Sequence, residues 1–172
     1  MKFKSAGLIL PGLLLSLVLS PAAWGQLGSD DPDWKELDVP PPPAFDLGKL
    51  VTFEVSANSS LVYGVDPAAI HISTADGIVR YVMVASSASG ARNVMYEGIR
   101  CATGEFRTYA RYSPEGGWKK AAQPEWRSLF GNMPSRHALR FAQAGGCDNV
   151  TVPPSVEVLV SRLKNPNLRM EK

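Results

Sequence analysis

Histidine and cysteine are scarce in this chain, with two of each in 172 residues. A tetrahedral metal site would have to gather Cys101, Cys147, His71 and His137 together, and none of them lie at the short spacing of zinc-ligand pairs. The expectation is therefore no metal and no cofactor. Beyond the N-terminus there is no apolar run near the roughly 20 residues that cross a bilayer. No phosphate-cradling loop is present, since Gly116-Gly117 is an isolated turn, and the serines lack the spacing of a nucleophile elbow. There is no internal repeat. Excess charge is missing too: the formal net charge is +2, and removing Lys2 and Lys4 brings it to zero. Global charge thus offers no argument for a nucleic-acid partner.

What is present begins with an export signal. Lys2 and Lys4 precede an uncharged apolar run over residues 6–19, broken by Pro11-Gly12 and followed by the small-x-small tripeptide Ala23-Trp24-Gly25. This is the pattern of a secretory signal peptide, and the run is too short for a membrane anchor. Residues 1–25 are expected to be removed after Gly25, leaving 147 of the 172 residues, enough for one domain with a real core. No cysteine follows the cut, so no lipid-modified N-terminus is expected. An exported chain meets an oxidising compartment, where two cysteines usually pair. A Cys101–Cys147 disulfide is the expectation. The alternatives are the metal site above and a reactive thiol, which would need His137 to activate Cys101 without any supporting motif.

Residues 26–46 form a polar, proline-rich leader whose four prolines at 40–43 favour an extended conformation. Period-two alternation marks a strand at 51–55; residues 69–73 are a short strand candidate, closed by the Asp76-Gly77 turn, and 78–85 read as a strand from their valine and aromatic content. Residues 94–102 and 105–112 are expected to form a hairpin around Thr103-Gly104. With a two-residue loop, Cys101 faces Phe106, Ile99 faces Thr108 and Glu97 faces Ala110 on a core side. Arg100 and Arg107, Gly98 and Tyr109, and Tyr96 and Arg111 then pair on the outer side. A one-residue slip would exchange the two faces. Gln123-Pro124 can open a short helix through Leu129, with Gly131 as its stop. Ser135 can cap a second helix, ended by Gly145-Gly146. The apolar spacing of Val156, Leu159, Val160 and Leu163 fits a helix, while the valines fit a strand equally well. The expected architecture is α+β: an antiparallel sheet of about five strands, with short C-terminal helices packed on it and one disulfide. A single domain over residues 47–150 would be followed by a tail, 151–172.

Several of these residues resemble a known family. Asp33-Trp34, the proline-rich leader, "DGIVRY" (76–81), "YEGIRC" (96–101), Trp118, Trp126 and Cys147 are similar to an uncharacterised group of exported proteobacterial proteins, labelled as resembling a cryptic neisserial protein. The resemblance covers roughly residues 33–147. It implies a bacterial, periplasmic protein and brings with it no activity, cofactor or catalytic residue.

Two classes of function remain. A binding module would use Arg100, Arg107 and Arg111, interleaved with Tyr96 and Tyr109 on the outer hairpin face. Arginine and tyrosine are enriched at interface hot spots, and an anionic glycan, a lipid headgroup or an acidic protein suits the compartment. This non-enzymatic reading leads. The alternative is a small hydrolase-like enzyme using Glu97 or His137. The inward Glu97 would need a partner, and Arg80 on the preceding strand is the natural ion pair. A histidine clustered with Glu97 in a cleft would favour the enzyme, whereas an open basic face would favour binding.

Overall fold

The computed structural model describes residues 33–165. The expected signal peptide with its cleavage site, the first residues of the leader and the end of the tail lie outside the described residues. The sheet is an antiparallel meander in which each strand pairs with the next. Its strands are β1 (Val51–Phe53), β2 (Leu61–Ser73), β3 (Ile78–Ser87), β4 (Arg92–Arg100), β5 (Glu105–Ser113) and β6 (Gly117–Lys120). A two-residue strand, β7 (Arg127–Ser128), also pairs with β5. Two helices follow, α1 (His137–Phe141), which runs on through a wide π-type turn over Ala142–Gly146, and α2 (Val156–Lys164). The fold is the expected α+β arrangement with a larger sheet.

The strands form where β-branched and aromatic residues alternate. In β3, Val79, Tyr81, Met83 and Ala85 pack on the helix side, whereas Val82 and Val84 belong to a separate core on the other side. A strand buried on both faces reads as a continuous apolar run. On the helix side, Phe141 packs on Tyr81 with ring centroids 4.2 Å apart. Leu159 and Leu163 of α2 are buried there, so the tail after Cys147 is helical where described and closes the core. Gly145 makes the turn after α1 at φ 135°, with no room for a Cβ beside Arg162. Cys101 and Cys147 form a disulfide with a Cα separation of 5.7 Å, within the normal range of about 4.4–6.8 Å. It ties the β4–β5 turn to the end of α1.

The opposite face is covered by the leader. Trp34 donates from Nε1 to the Asp76 carbonyl at 2.9 Å. Further along, Phe45 packs edge-on against Tyr112 and Trp118. The leader is thus a strap across the sheet.

Two local features differ from expectation. The β4–β5 connection is four residues, with Arg100 opposite Glu105, Ile99 opposite Phe106 and Glu97 opposite Thr108. This register is displaced by two residues from that of a two-residue loop, and a shift of two preserves the faces. The register also breaks between Glu97↔Thr108 and Tyr96↔Ala110, making Tyr109 a bulge residue. Tyr109 and Ala110 both join the leader-side core, and Arg111 turns to the helix side. The predicted helix at 124–129 is absent. That segment runs extended, with Arg127 and Ser128 bridging Phe106 and Glu105. Trp126 is held against Trp34 and Tyr109 while Leu129 is buried, and so short a segment gains too few internal bonds to nucleate a helix.

Candidate functional site

The five residues expected to share one outer surface are divided by the bulge: four lie under the strap, and Arg111 is on the other face. Tyr96 and Tyr109 are buried in the leader-side core. Glu36 of the strap accepts hydrogen bonds from Arg107 at 2.6 Å, from the Tyr109 hydroxyl and from Arg80 at 3.2 Å. Arg100 lies 3.8 Å over the Trp34 ring and 3.7 Å from Glu105. Arg100 and Arg107, expected to lie opposite each other, do not: Arg100 faces Glu105 and Arg107 faces Gly98, and each has its own carboxylate, Glu105 and Glu36. Arg111 is exposed on the other face and bonds Asn93 at 3.2 Å. Burial raises the Tyr109 hydroxyl pKa, and its bond to the Glu36 carboxylate raises it further, so Tyr109 remains a neutral donor. A cavity of about 460 Å³ lies between prolines 40–42 and the sheet, lined by Tyr96, Arg107, Tyr109 and Lys120 among others.

The strap makes a testable contribution. Glu36→Ala leaves Arg107 and Tyr109 without their carboxylate, and Arg80 with Asp76 alone. The expected loss is about 2 kcal/mol. Limited proteolysis should then cut within residues 33–46 while the sheet stays intact, and unchanged cleavage would refute the strap's role.

The Glu97–Arg80 ion pair does not form. The two side chains leave adjacent strands on opposite faces, because Arg80 lies opposite Gly98 and Glu97 lies opposite Tyr81. Arg80 bonds Asp76 at 2.7 Å and Glu36 instead. Glu97 is inward, as expected, but its partner is His137, whose Nε2 lies 2.9 Å and 3.2 Å from the two carboxylate oxygens. Thr108 donates to Oε1 at 3.1 Å and Tyr81 to Oε2 at 3.2 Å. Burial alone raises the Glu97 pKa. The charge and hydrogen bond of His137, with the Thr108 and Tyr81 hydroxyls, outweigh it and hold the pKa below the usual carboxylate range. Burial and the adjacent carboxylate push Tyr81 the other way, well above its ordinary value.

The far side of the imidazole faces a hydroxyl chain. His137 Nδ1 is 3.0 Å from Ser135 Oγ, which is 3.1 Å from the Tyr63 hydroxyl. Tyr63 stacks parallel to the His137 ring with centroids 5.8 Å apart. The group opens into a cavity of about 290 Å³ between the sheet and the segment leading into α1. Leu61, Met95, Phe106 and Met133 supply apolar wall, and Arg111 and Arg127 also line it. Arg127 lies over the Phe106 ring at 4.7 Å. Among the described residues neither arginine forms a salt bridge, whereas Arg80, Arg100 and Arg107 each do. His71, the other histidine, is exposed on β2, away from this cluster.

Family comparison decides the relationship of the chain. The model of the CNP1-like family matches residues 29–164. The chain belongs to the CNP1-like family. No curated protein and no solved structure matches it. The family match extends past Cys147 to include α2, beyond the limit at 147 drawn from the sequence. No group of three or more histidine, cysteine or carboxylate side chains suited to a metal occurs among the described residues, and none of their helices is long and apolar enough to cross a membrane. The disulfide points to an extracytoplasmic location.

Sequence reasoning missed Ser135, Tyr63, Thr108 and Arg127 as companions of Glu97 and His137. Ser135-x-His137 was legible only as a helix start. Its meeting with Glu97, 40 residues away, depends on how α1 docks.

Proposed function

We propose that the protein is a periplasmic binding module, and that its ligand is a small amphipathic anion held in the Glu97–His137 cavity. The observation that carries the reading is the pair Arg111 and Arg127. They line an apolar-walled cavity without salt bridges among the described residues, while the arginines under the strap are all matched by carboxylates. Ligand sites are typically apolar concavities with a few polar groups that fix orientation. An anionic group would sit between the guanidiniums and an apolar body against Met95, Phe106 and Met133. Acidic lipid headgroups share the first of these features, and small aromatic or aliphatic acids share both. Of the five binding residues drawn from the sequence, Arg111 is the one this reading retains at the ligand. Arg100, Arg107, Tyr96 and Tyr109 serve the strap.

The test is a fluorescence titration with 8-anilinonaphthalene-1-sulfonate. The Arg111→Ala/Arg127→Ala double variant should bind about tenfold more weakly, the equivalent of about 1.4 kcal/mol, and wild-type binding should weaken as salt screens the arginines. Equal affinity in the two proteins would reject the site. A second reading, a small hydrolase, is favoured by the clustering of Glu97 with a histidine in a cavity.

A further inference from the structure

We infer that Ser135, His137 and Glu97 form an acyl-transfer relay inside the same cavity, acting on carboxylic esters whose acyl part carries an anionic group. The inference rests on the cavity being a ligand site and goes beyond binding.

The polarity of the hydrogen bonds carries it. Glu97 is fully buried, is fixed by Thr108 and Tyr81 and faces Nε2 of His137. An ionised carboxylate can only accept, so Nε2 carries the proton. In the neutral imidazole Nδ1 is then the acceptor, and the group within its reach is the Ser135 hydroxyl at 3.0 Å. Ser135 Oγ accepts from the His137 backbone N–H at 3.3 Å and meets the Tyr63 hydroxyl at 3.1 Å, a contact in which either oxygen can donate. With Tyr63 as the donor there, Ser135 has its own proton to give to Nδ1. A nucleophile, a base and a group that orients the base form the constellation of covalent hydrolysis, which is recognised by geometry and roles rather than by sequence order. Ser135 is half-buried on the cavity lining, so a bound molecule can reach it.

The step balances without any outside reagent except water. Ser135 Oγ bonds to the ester carbonyl carbon as its proton passes to His137 Nδ1. The carbon–oxygen bond to the alcohol breaks, and the alcohol leaves with that proton. Water then attacks the acyl-serine, giving its proton to His137 and releasing the acid, and Ser135 recovers its hydrogen. Once Ser135 Oγ is bonded to carbon, the single Tyr63 proton can turn from it to the neighbouring oxygen that develops negative charge, and Arg111 and Arg127 receive the anionic group of the acyl part. Ser135 and His137 are the catalytic residues, and Glu97 is a positioning residue.

The experiment treats the oxidised, folded protein with a fluorophosphonate, which modifies activated serines, and maps the adduct by mass spectrometry. In parallel, hydrolysis of mono-4-nitrophenyl succinate, an ester bearing a free carboxylate, is followed. The expected results are an adduct at Ser135 and ester turnover. Both should fall about 100-fold or more in His137→Asn, the usual scale for removing a general base. Glu97→Gln should lower kcat with little change in KM, which a merely structural role would not produce. Titration with 8-anilinonaphthalene-1-sulfonate accompanies each protein. Wild type that binds the dye through its arginines but shows neither adduct nor turnover would overturn the relay and leave the binding site standing. Wild type whose dye binding is indifferent to the arginines and which shows no adduct would overturn both. Because labelling and turnover are read on wild type, a variant that fails to fold does not rescue the proposal.

Discussion

Replacing Cys101 and Cys147 together with alanine is expected to destabilise the protein by about 4 kcal/mol. The bridge closes a loop spanning 46 positions, and opening it gives that freedom back to the unfolded chain. For a domain whose whole stability is typically about 5–15 kcal/mol, this is a large share. The consequence is also local. The bridge holds the end of α1 on the β4–β5 turn, and α1 carries His137 against Glu97. Urea denaturation of the oxidised protein and the double-alanine variant measures the loss. A midpoint lowered by less than the equivalent of 1 kcal/mol would show that the core alone fixes α1. Alanine suits the test because both cysteines are buried, and a polar replacement would add its own cost.

Glu97→Ala is expected to cost about 3–5 kcal/mol, the range for removing a buried charged group and leaving its buried hydrogen-bond partners unmatched. It removes the acceptor shared by His137, Thr108 and Tyr81, and it leaves a void beneath the imidazole. Glu97→Gln keeps the volume and one acceptor and should cost less. The direction of the pKa gives a second readout. A carboxyl held below its ordinary value stabilises the fold at pH above the unfolded value, about 4.3. That contribution is lost as pH falls below it, through the lower folded value. Asp76 is also lowered: burial raises its pKa, and its bonds from Arg80 and Ser73 more than compensate. Wild-type stability should thus fall steeply below about pH 4, and Glu97→Gln should show a shallower acid limb. Parallel acid limbs for the two proteins would show that Glu97 is not held ionised by its surroundings.

Much of the sheet was legible because alternation is local. Val79, Tyr81 and Met83 sort from Arg80, Val82 and Val84 by parity alone. Parity also protected the inward placement of Glu97, since the loop was misjudged by two residues rather than one. The bulge at Tyr109 was not legible. An extra residue leaves no mark when a tyrosine follows a threonine, and it is what sent Arg111 to the opposite face. The first half of β2 was hidden by Gly64 and by Asp66-Pro67, which resemble breakers. Here the irregularity between Val65 and Ile70 absorbs the proline, where a missing N–H does least harm. The candidate site was visible only in part. Glu97 and His137 were both singled out, but Arg80 was given as the partner because it was near in sequence on a neighbouring strand. What decided the pairing was which face each strand turned to the helix, and that depends on contacts across 40 residues.

The strap has a further consequence for the order in which the protein is made. Glu36 is synthesised long before the groups that hold it: Arg107 follows 71 residues later and Tyr109 73 residues later. A growing chain therefore carries its leader unanchored until β5 has emerged and paired, and the leader-side core stays open until then. Closing so wide a loop is slow compared with forming the neighbouring hairpins. During that interval the apolar face formed by Val82, Val84 and Tyr96 is bare, and early proteolysis or self-association would strike there first.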